Sequence, residues 1–481
     1  MVEQGLPVRE GAYGARVAAV EPGGIEAIPQ VERHGRPLDL FWTWLSPNFE
    51  FATIFVGAIS IFLFGASFAS AALGILVGTA LGSLTHALLT ARGPAAGAPQ
   101  MVQSRAAFGY WGNLLPAALN TFTASIGWFL VNSVSGAFAL SSLFGLAWSL
   151  SFTLIVILQV LVATLGHNLV HVFERYALVP LGLIFLVACT FIFMHAHLNQ
   201  GFSASAPLAG GGDGAAFILT AAAAFGYAAG WNPYASDYSR YLPATASRFQ
   251  VGLWAGLGVF VSCVLLELAG AALVTATGIA TALSVSPTDL LARTMPTLVY
   301  QATLLAIALG AVAANAINIY SGALSFLTLG LHWSLRFRRA VVALVAGSLS
   351  LAIGLAFSAN VGPGSRYEEF LLVIGYWIAP WLGVVLTHWW LNRRQPLATS
   401  ALYDSSINPL AGILAMLIAL LASVWLFADQ ALYAGPVPLH YPALGDLTSL
   451  VGFVAAAALY ALFSALRRSM AASASKMPTA S

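Results

Sequence analysis

The sequence predicts an all-α polytopic membrane protein with about twelve transmembrane helices. Three observations carry that prediction. Only 7% of the 481 residues are charged, against roughly a quarter in soluble domains. Mean hydropathy is +0.85. Apolar runs recur along the whole chain, each close to the ~20 residues a helix needs to cross a bilayer. A membrane β-barrel would show short alternating segments instead. The formal net charge of +2 offers no basic surface for nucleic acid. Cys189 and Cys263 both lie inside apolar runs and read as buried thiols rather than a disulfide or a metal site.

Residues 1–39 mix charge, proline and glycine, and no apolar stretch follows a basic start. They read as a mobile cytoplasmic tail with no cleavable signal peptide. Apolar spans then fall near 41–64, 67–90, 112–140, 143–165 and 176–196, inside a first unit of residues 40–200. The linker GFSASAPLAGGGDG, 201–214, closes that unit. Spans near 215–234, 249–276, 298–328, 340–358 and 368–391 form a second unit, 215–395. Spans near 408–428 and 447–466 form an appendage, 405–468, and residues 469–481 read as a second cytoplasmic tail.

Loop charge sets the direction. Arg92, Arg105, Arg175, Arg240, Arg248, Arg336, Arg338, Arg339, Arg393, Arg394, Arg467 and Arg468 all follow even-numbered spans. Only Arg293 and Arg366 follow odd-numbered ones. Basic short loops stay cytoplasmic, so both termini are expected in the cytoplasm, and the plasma (inner) membrane is the expected location. Five spans per unit is an odd number, so the second unit starts from the opposite side. That is the topology of an inverted repeat.

The first span of each unit carries a helix breaker among polar residues. Span 1 reads FWTWLSPNFEFATIF, with Ser46, Pro47, Asn48 and Glu50. Span 6 reads AAFGYAAGWNPYASDY, with Gly226, Gly230, Asn232 and Pro233. Proline removes a backbone donor and frees a carbonyl. In hydrocarbon such groups persist only where protein, water or a ligand satisfies them. Matched interruptions in two inverted halves point to a central binding site.

At these residues the chain resembles the nucleobase–cation symporter family, in its purine–cytosine permease branch. The resemblance runs through MVQSRAAFGYWG from Met101, GHNLVHVFERYALVP from Gly166, GWNPYASDYSRYLP from Gly230 and NAINIYSGALS from Asn315. It spans roughly residues 40–395 and places the first two motifs in loops. It implies a LeuT-like fold of two inverted five-helix repeats plus two peripheral helices. It also implies cation-coupled symport of a nucleobase such as cytosine or a purine by alternating access. Allantoin, hydantoin, uracil, thiamine or another small heterocycle is the alternative cargo.

The residue chemistry fits that expectation. A flat heterocycle needs an aromatic face for stacking and amides for its polar edge. Trp128 and Asn132 lie four apart, hence on one helical face. By resemblance they are the stacking ring and a pocket amide. Asn315 and Asn318 share a face of span 8, and Ser46 and Asn48 flank the break in span 1. The family's second stacking position falls on Ala228, so Tyr227 or Trp231 would have to supply that ring. Asp237 and Arg240 read as a gate or latch at the end of span 6, paired with each other, with Arg105 or with Glu174–Arg175. A plain helix-end ion pair is the alternative.

Sodium wants hard oxygen ligands, and the family's sodium positions in span 8 match Ala313 and Ala314. This resembles the proton-coupled branch. A proton carrier must be titratable and near the path. Glu50 is the first candidate and Glu267 of span 7 the second; sodium stays as the alternative ion. No cofactor or resident metal is expected. An intramembrane enzyme would need a nucleophile with its base or a metal motif such as H-E-x-x-H. A channel would need a filter motif or a ring of charge. Neither pattern is present, and the partners expected are a small heterocyclic cargo and lipid.

Overall fold

The computed structural model describes residues 24–165, 167–330, 335–357, 365–395, 398–430 and 432–474, with side chains described outside 163–178, 335–340, 357, 365–366 and 471–474. Among the described residues the fold is helical, with one isolated bridge between Asp429 and Ala434. Helix α1 is broken into α1a, Asp39–Leu45, and α1b, Phe51–Phe62, which meet at a 60° bend. Then follow α2 (Phe68–Thr90), α3 (Leu114–Phe144), α4 (Trp148–Leu165) and α5 (His167–His195). Helix α6 is also broken, into α6a, Gly212–Ala229, and α6b, Ala235–Ser239. The rest are α7 (Arg248–Thr277), α8 (Thr297–Thr328), α9 (Leu335–Phe357), α10 (Ser365–Leu391), α11 (Leu410–Phe427) and α12 (Thr448–Ala474).

The packing follows an inverted repeat. Helix α7 packs on both parts of α1, and α2 packs on α6, which is the same pair with the halves exchanged. The pairs α2–α7, α3–α8 and α4–α9 map onto themselves, while α3–α9 exchanges with α4–α8. Helices α11 and α12 pack on each other and on α10. Their outer faces stay apolar and exposed, with Leu414, Leu421, Trp425, Val454 and Leu462.

Alternating topology is visible in the loops. Arg105, before α3, donates to the carbonyls of Thr328 at 2.9 Å and Leu402 at 3.1 Å. Arg92 lies over the Trp389 ring. Ser239 Oγ at the end of α6b donates to Thr90 O at the end of α2 at 2.8 Å, so the ends of α2, α6, α8 and α10 share one face. On the opposite face Asp213, opening α6a, accepts from Ser67 N, Ser67 Oγ and Ser70 Oγ at 2.8 Å each. A carboxylate at a helix N-terminus is favourable, and here it fastens the starts of α2 and α6 together. Between α11 and α12, Asp446 accepts from Tyr376 OH and from the amides of Asp429 and Thr448. Burial raises its carboxyl above the usual range, against the pull of those donors.

In lipid there is no hydrophobic drive between helices, so small residues that admit close backbones decide who packs on whom. Gly74, Gly78 and Gly82 form such a stripe on α2 facing α6. A Cβ on Gly78 would stand 2.2 Å from Ala221 O. Gly78→Ala is expected to cost about 1–3 kcal/mol, read as a lower melting temperature in detergent. Gly201→Ala, in open space, is expected to change nothing.

The structure departs from the sequence expectations at four places. Residues 24–38 are not a free tail. Ile28 N donates to Gly97 O at 2.9 Å and His34 N to Tyr241 O at 2.7 Å. Arg33 donates to Pro94 O, and Tyr403 OH to Ile25 O at 2.7 Å. This strap binds the ends of α2 and α6 and the α10–α11 link, because its backbone groups find partners on all three. Residues 1–23 and 475–481 lie outside the described residues. Second, the segment from His167 to Pro180, read as a loop, lies within α5. Third, residues 101–112, also read as a loop, are largely helical, in Gln100–Gln103 and Arg105–Gly112. Fourth, α12 continues to Ala474, so the second tail begins later than 469. The two cysteines are buried and free, as expected.

Candidate functional site

The site forms where the two broken helices meet α3, α7 and α8. In α1 the turn Ser46–Asn48 replaces the helix, Glu50 is extended, and α1b restarts at Phe51. The break satisfies its own freed carbonyls. Asn48 Nδ2 donates to Trp44 O at 2.8 Å, and Thr53 Oγ1 donates to Asn48 O at 2.7 Å. In α6 the break is a turn at Asn232–Tyr234 after Gly230. Asn232 Nδ2 donates to Thr85 Oγ1 of α2 at 2.7 Å.

Side chains then tie the two breaks together. Trp231 Nε1 donates to Asn48 Oδ1 at 3.0 Å, and Asn48 Nδ2 also reaches Ser262 Oγ of α7 at 3.0 Å. Tyr227 OH lies 2.5 Å from Thr53 Oγ1 and 3.1 Å from Glu50 Oε1, to which it donates. Glu50 is only 1% exposed. A buried carboxyl persists where hydrogen bonds compensate it. One comes from Tyr227, and the Asn132 amide of α3 supplies another when its Nδ2 is turned toward the carboxyl.

Helix α3 contributes a turn of π-helix, Thr123–Trp128. Such turns occur often at functional sites because they re-aim the residues that follow. Trp128 is 6% exposed. Its ring meets Tyr227 edge-on with centroids 5.3 Å apart, and Phe370 of α10 at 5.2 Å. One turn on, Asn132 faces Asn315 Oδ1 of α8 at 3.0 Å. Asn315 Nδ2 donates to Phe129 O at 2.9 Å, and Asn318 Nδ2 to Asn315 Oδ1 at 3.3 Å. Asn318 Oδ1 has no hydrogen-bond partner among the described residues.

The structure therefore brings Trp128, Asn132, Asn315, Asn318, Tyr227, Trp231, Asn48 and Glu50 into one connected cluster. Ser46 is buried at the same break, but no hydrogen-bond partner reaches its Oγ among the described residues. Glu267 is elsewhere: its Oε2 accepts from Thr79 Oγ1 of α2 at 2.7 Å, which links α7 to α2. Ala313 and Ala314 are buried in α8 and offer no side-chain oxygen. Beside them α8 meets the α1 break by bare backbone, since a Cβ on Gly310 would stand 2.2 Å from Phe49 O.

Asp237 and Arg240 lie on the strap face. Asp237 Oδ1 accepts from Gln100 N at 2.9 Å. Arg240 donates to Gly24 O at 3.0 Å, Tyr320 OH at 3.1 Å and Tyr241 OH at 3.2 Å. Arg105 is engaged with carbonyls instead, and burial lowers its guanidinium from the usual value. The Glu174 and Arg175 side chains lie outside the described residues.

A cavity of about 510 Å³ lies outside the cluster, lined by Phe51, Phe138, Trp148, Pro287, Tyr367 and Phe370 among others. Phe370 is both a wall of this cavity and an edge-on neighbour of Trp128. Thr53, Ser262 and Phe370 were not legible as site residues in the sequence. Thr53 carried a faint signal as the first hydroxyl after the α1 break. Ser262 and Phe370 carried none, since only packing brings α7 and α10 to the breaks.

The chain is similar over most of its length to known proteins. The family described as permeases for cytosine/purines, uracil, thiamine and allantoin matches residues 27–454. A Bacillus subtilis protein named as a purine-cytosine permease, YxlA, is 27% identical over 452 residues, covering 92% of this chain and 95% of its own length. The purine-cytosine permease fcyB of Emericella nidulans is 28% identical over 464 residues, covering 92% and 87%. Among solved structures, the inward-facing conformation of Mhp1 superposes with a TM-score of 0.71 at 16% identity, covering 95% of each chain. That likeness carries the LeuT-like fold. The chain belongs to the family of permeases for cytosine/purines, uracil, thiamine and allantoin, and it is a multi-pass membrane transporter rather than an enzyme.

Proposed function

We propose that this permease carries a nucleobase, cytosine or a purine, across the plasma (inner) membrane in symport with a proton, by alternating access. One observation carries the reading. The carboxyl of Glu50 sits in the α1 break, hydrogen-bonded to Tyr227 of the α6 break, and an α3 amide beside it contacts the α8 asparagines. A proton site and an amide edge thus share one connected set of hydrogen bonds, with Trp128 next to it.

In this reading Trp128 stacks on the base, and Asn132, Asn315 and Asn318 meet its polar edge. Asn48 and Trp231 hold the breaks in register, with Ser46 and Tyr227 at the pocket margin. Glu50 carries the proton, and Glu267 is the second candidate. Asp237 and Arg240 hold the strap face closed. Both termini are cytoplasmic, so the strap face is inward. The cavity beside Phe370 is the outer vestibule, and Phe370 must move before a base can reach Trp128. The relatives support the cargo: both are named for purines and cytosine. A different heterocycle is the second reading, favoured by a relative of like fold solved with bromovinylhydantoin bound.

The test is uptake of labelled cytosine into proteoliposomes under an imposed pH gradient or an imposed sodium gradient. Uptake is expected to follow the pH gradient and ignore sodium. A requirement for sodium would overturn the argument from Ala313 and Ala314. Competition by adenine, uracil, allantoin and thiamine ranks the cargo, and failure of cytosine alone would favour the second reading.

A further inference from the structure

The amide of Asn132 lies between the Glu50 carboxyl and the two asparagines of α8. One end is 2.9 and 3.0 Å from Glu50 Oε2 and Oε1. The other end is 3.0 Å from Asn315 Oδ1 and 3.1 Å from Asn318 Nδ2. An amide has a donor end and an acceptor end of nearly equal size, so its hydrogen-bond network decides its orientation. Here the network has two solutions, and the proton on Glu50 selects between them.

With Glu50 protonated, its O–H donates to Asn132 Oδ1. Asn132 Nδ2 then points at α8 and donates to Asn315 Oδ1. It also meets Asn318 Nδ2 at 3.1 Å, until Asn318 turns its own Oδ1 toward it, an atom with no hydrogen-bond partner among the described residues. With Glu50 ionised, the carboxylate is an acceptor only, and Asn132 must turn over so that Nδ2 donates to it. Asn132 Oδ1 then accepts from Asn318 Nδ2 but stands against Asn315 Oδ1, oxygen to oxygen, at 3.0 Å. Asn315 cannot relieve this by turning, because its own Nδ2 is held by Phe129 O at 2.9 Å. An unpaired or repelling buried polar contact costs about 1–3 kcal/mol. The side of the pocket that faces α8 is thus donor-bearing when Glu50 holds a proton and acceptor-rich when it does not.

We propose that Asn132 is the coupling residue of this transporter: its amide turns over with the proton on Glu50, so that only the protonated site offers a donor to the carbonyl or ring-nitrogen edge of the cargo. The inference rests on the transport reading above and deepens it. It gives symport its sign, because proton and acceptor-bearing cargo each stabilise the same amide orientation. Other titratable groups near Glu50 are Tyr227 of α6, Tyr367 of α10 and Cys263 of α7, with Glu267 of α7 beyond Cys263 and Tyr367. Tyr227 donates to Glu50 Oε1 and Tyr367 to Ala52 O, while Glu267 is engaged by Thr79. Asn132 makes the link from the carboxyl to Asn315.

The experiment is cytosine binding to the purified full-length protein at acid and alkaline pH. Wild type is expected to bind about tenfold more tightly at acid pH, within the usual range of coupling between two sites. Glu50→Gln supplies a fixed donor in place of the acid and is expected to bind at the acid-pH affinity at both pH values. Asn132→Leu keeps the branched shape, removes both ends of the switch, and is expected to bring the acid-to-alkaline ratio close to one. Adding Glu50→Gln to Asn132→Leu should then change nothing further, the signature of two residues acting through one contact. An Asn132→Leu protein that keeps the wild-type ratio overturns the proposal, whatever its absolute affinity.

Should wild type bind no cytosine at all, the cargo reading fails separately, and the switch is read without ligand. The acid-minus-alkaline infrared difference spectrum should then contain a carboxyl band lost in Glu50→Gln and a side-chain amide band lost in Asn132→Leu, with the two titrating together. An amide band that ignores the titration overturns the proposal.

Discussion

Glu50→Gln is expected to abolish concentrative uptake while leaving exchange of cytosine for cytosine intact. Each pH unit is worth about 1.4 kcal/mol per proton. A gradient of about two units can therefore hold about a hundredfold accumulation if one proton moves with each cargo. In the variant the accumulation ratio should fall to about one, since glutamine cannot release a proton on the far side. Exchange needs only the loaded carrier to turn over, and an uncharged amide at the α1 break keeps a donor for Asn132. The measurement is proteoliposome uptake under a pH gradient, set beside counterflow with unlabelled cytosine inside. Full accumulation by Glu50→Gln would move the proton to another group, with Glu267→Gln the next variant to make. Loss of both activities with a lowered melting temperature would mark Glu50 as a structural carboxyl of the break.

Trp128→Ala carries the second large effect. A base stacked on an aromatic ring gains about 1–3 kcal/mol, so affinity should fall about 5- to 150-fold. Trp128 also packs edge-on against Tyr227 and Phe370, so some stability will be lost with the ring. Trp128→Phe separates the two effects. It keeps an aromatic face and should restore most of the affinity, whereas a site that does not stack its cargo would treat Phe and Ala alike once both are folded. Binding and melting temperature measured on both variants decide the matter.

Much of the architecture was legible in the chain. Span positions followed from hydropathy, because a bilayer admits only long apolar helices with their backbone bonded internally. The breaks at Pro47 and Pro233 were legible because proline cannot donate to a helix. The pairing of Trp128 with Asn132, and of Asn315 with Asn318, followed from helical periodicity alone. Helix ends were less legible. The segment after Gly166 carries His167, His171, Glu174 and Arg175, which lowers hydropathy without breaking a helix, so it read as a loop and is helical. The strap at 24–38 was not legible either. Its anchors are mostly backbone groups meeting distant backbone groups, as at Ile28 and Gly97, and such contacts leave no side-chain pattern.

By itself, then, the sequence determined that this is a polytopic helical protein with two interrupted helices and amides on neighbouring faces. Those properties are local, fixed by residue type and by spacing along one helix. Which faces meet was decided only in three dimensions. Close approach at Gly78 and Gly310 let α2, α6, α8 and the α1 break pack backbone to backbone. That packing set Glu50 against Tyr227 and Asn132 while holding Glu267 on Thr79. Along the chain Glu50 stood ahead of Glu267 by its place at the α1 break. The partners of each carboxyl, Tyr227 and Asn132 for one and Thr79 for the other, come from other helices and were decided by packing alone.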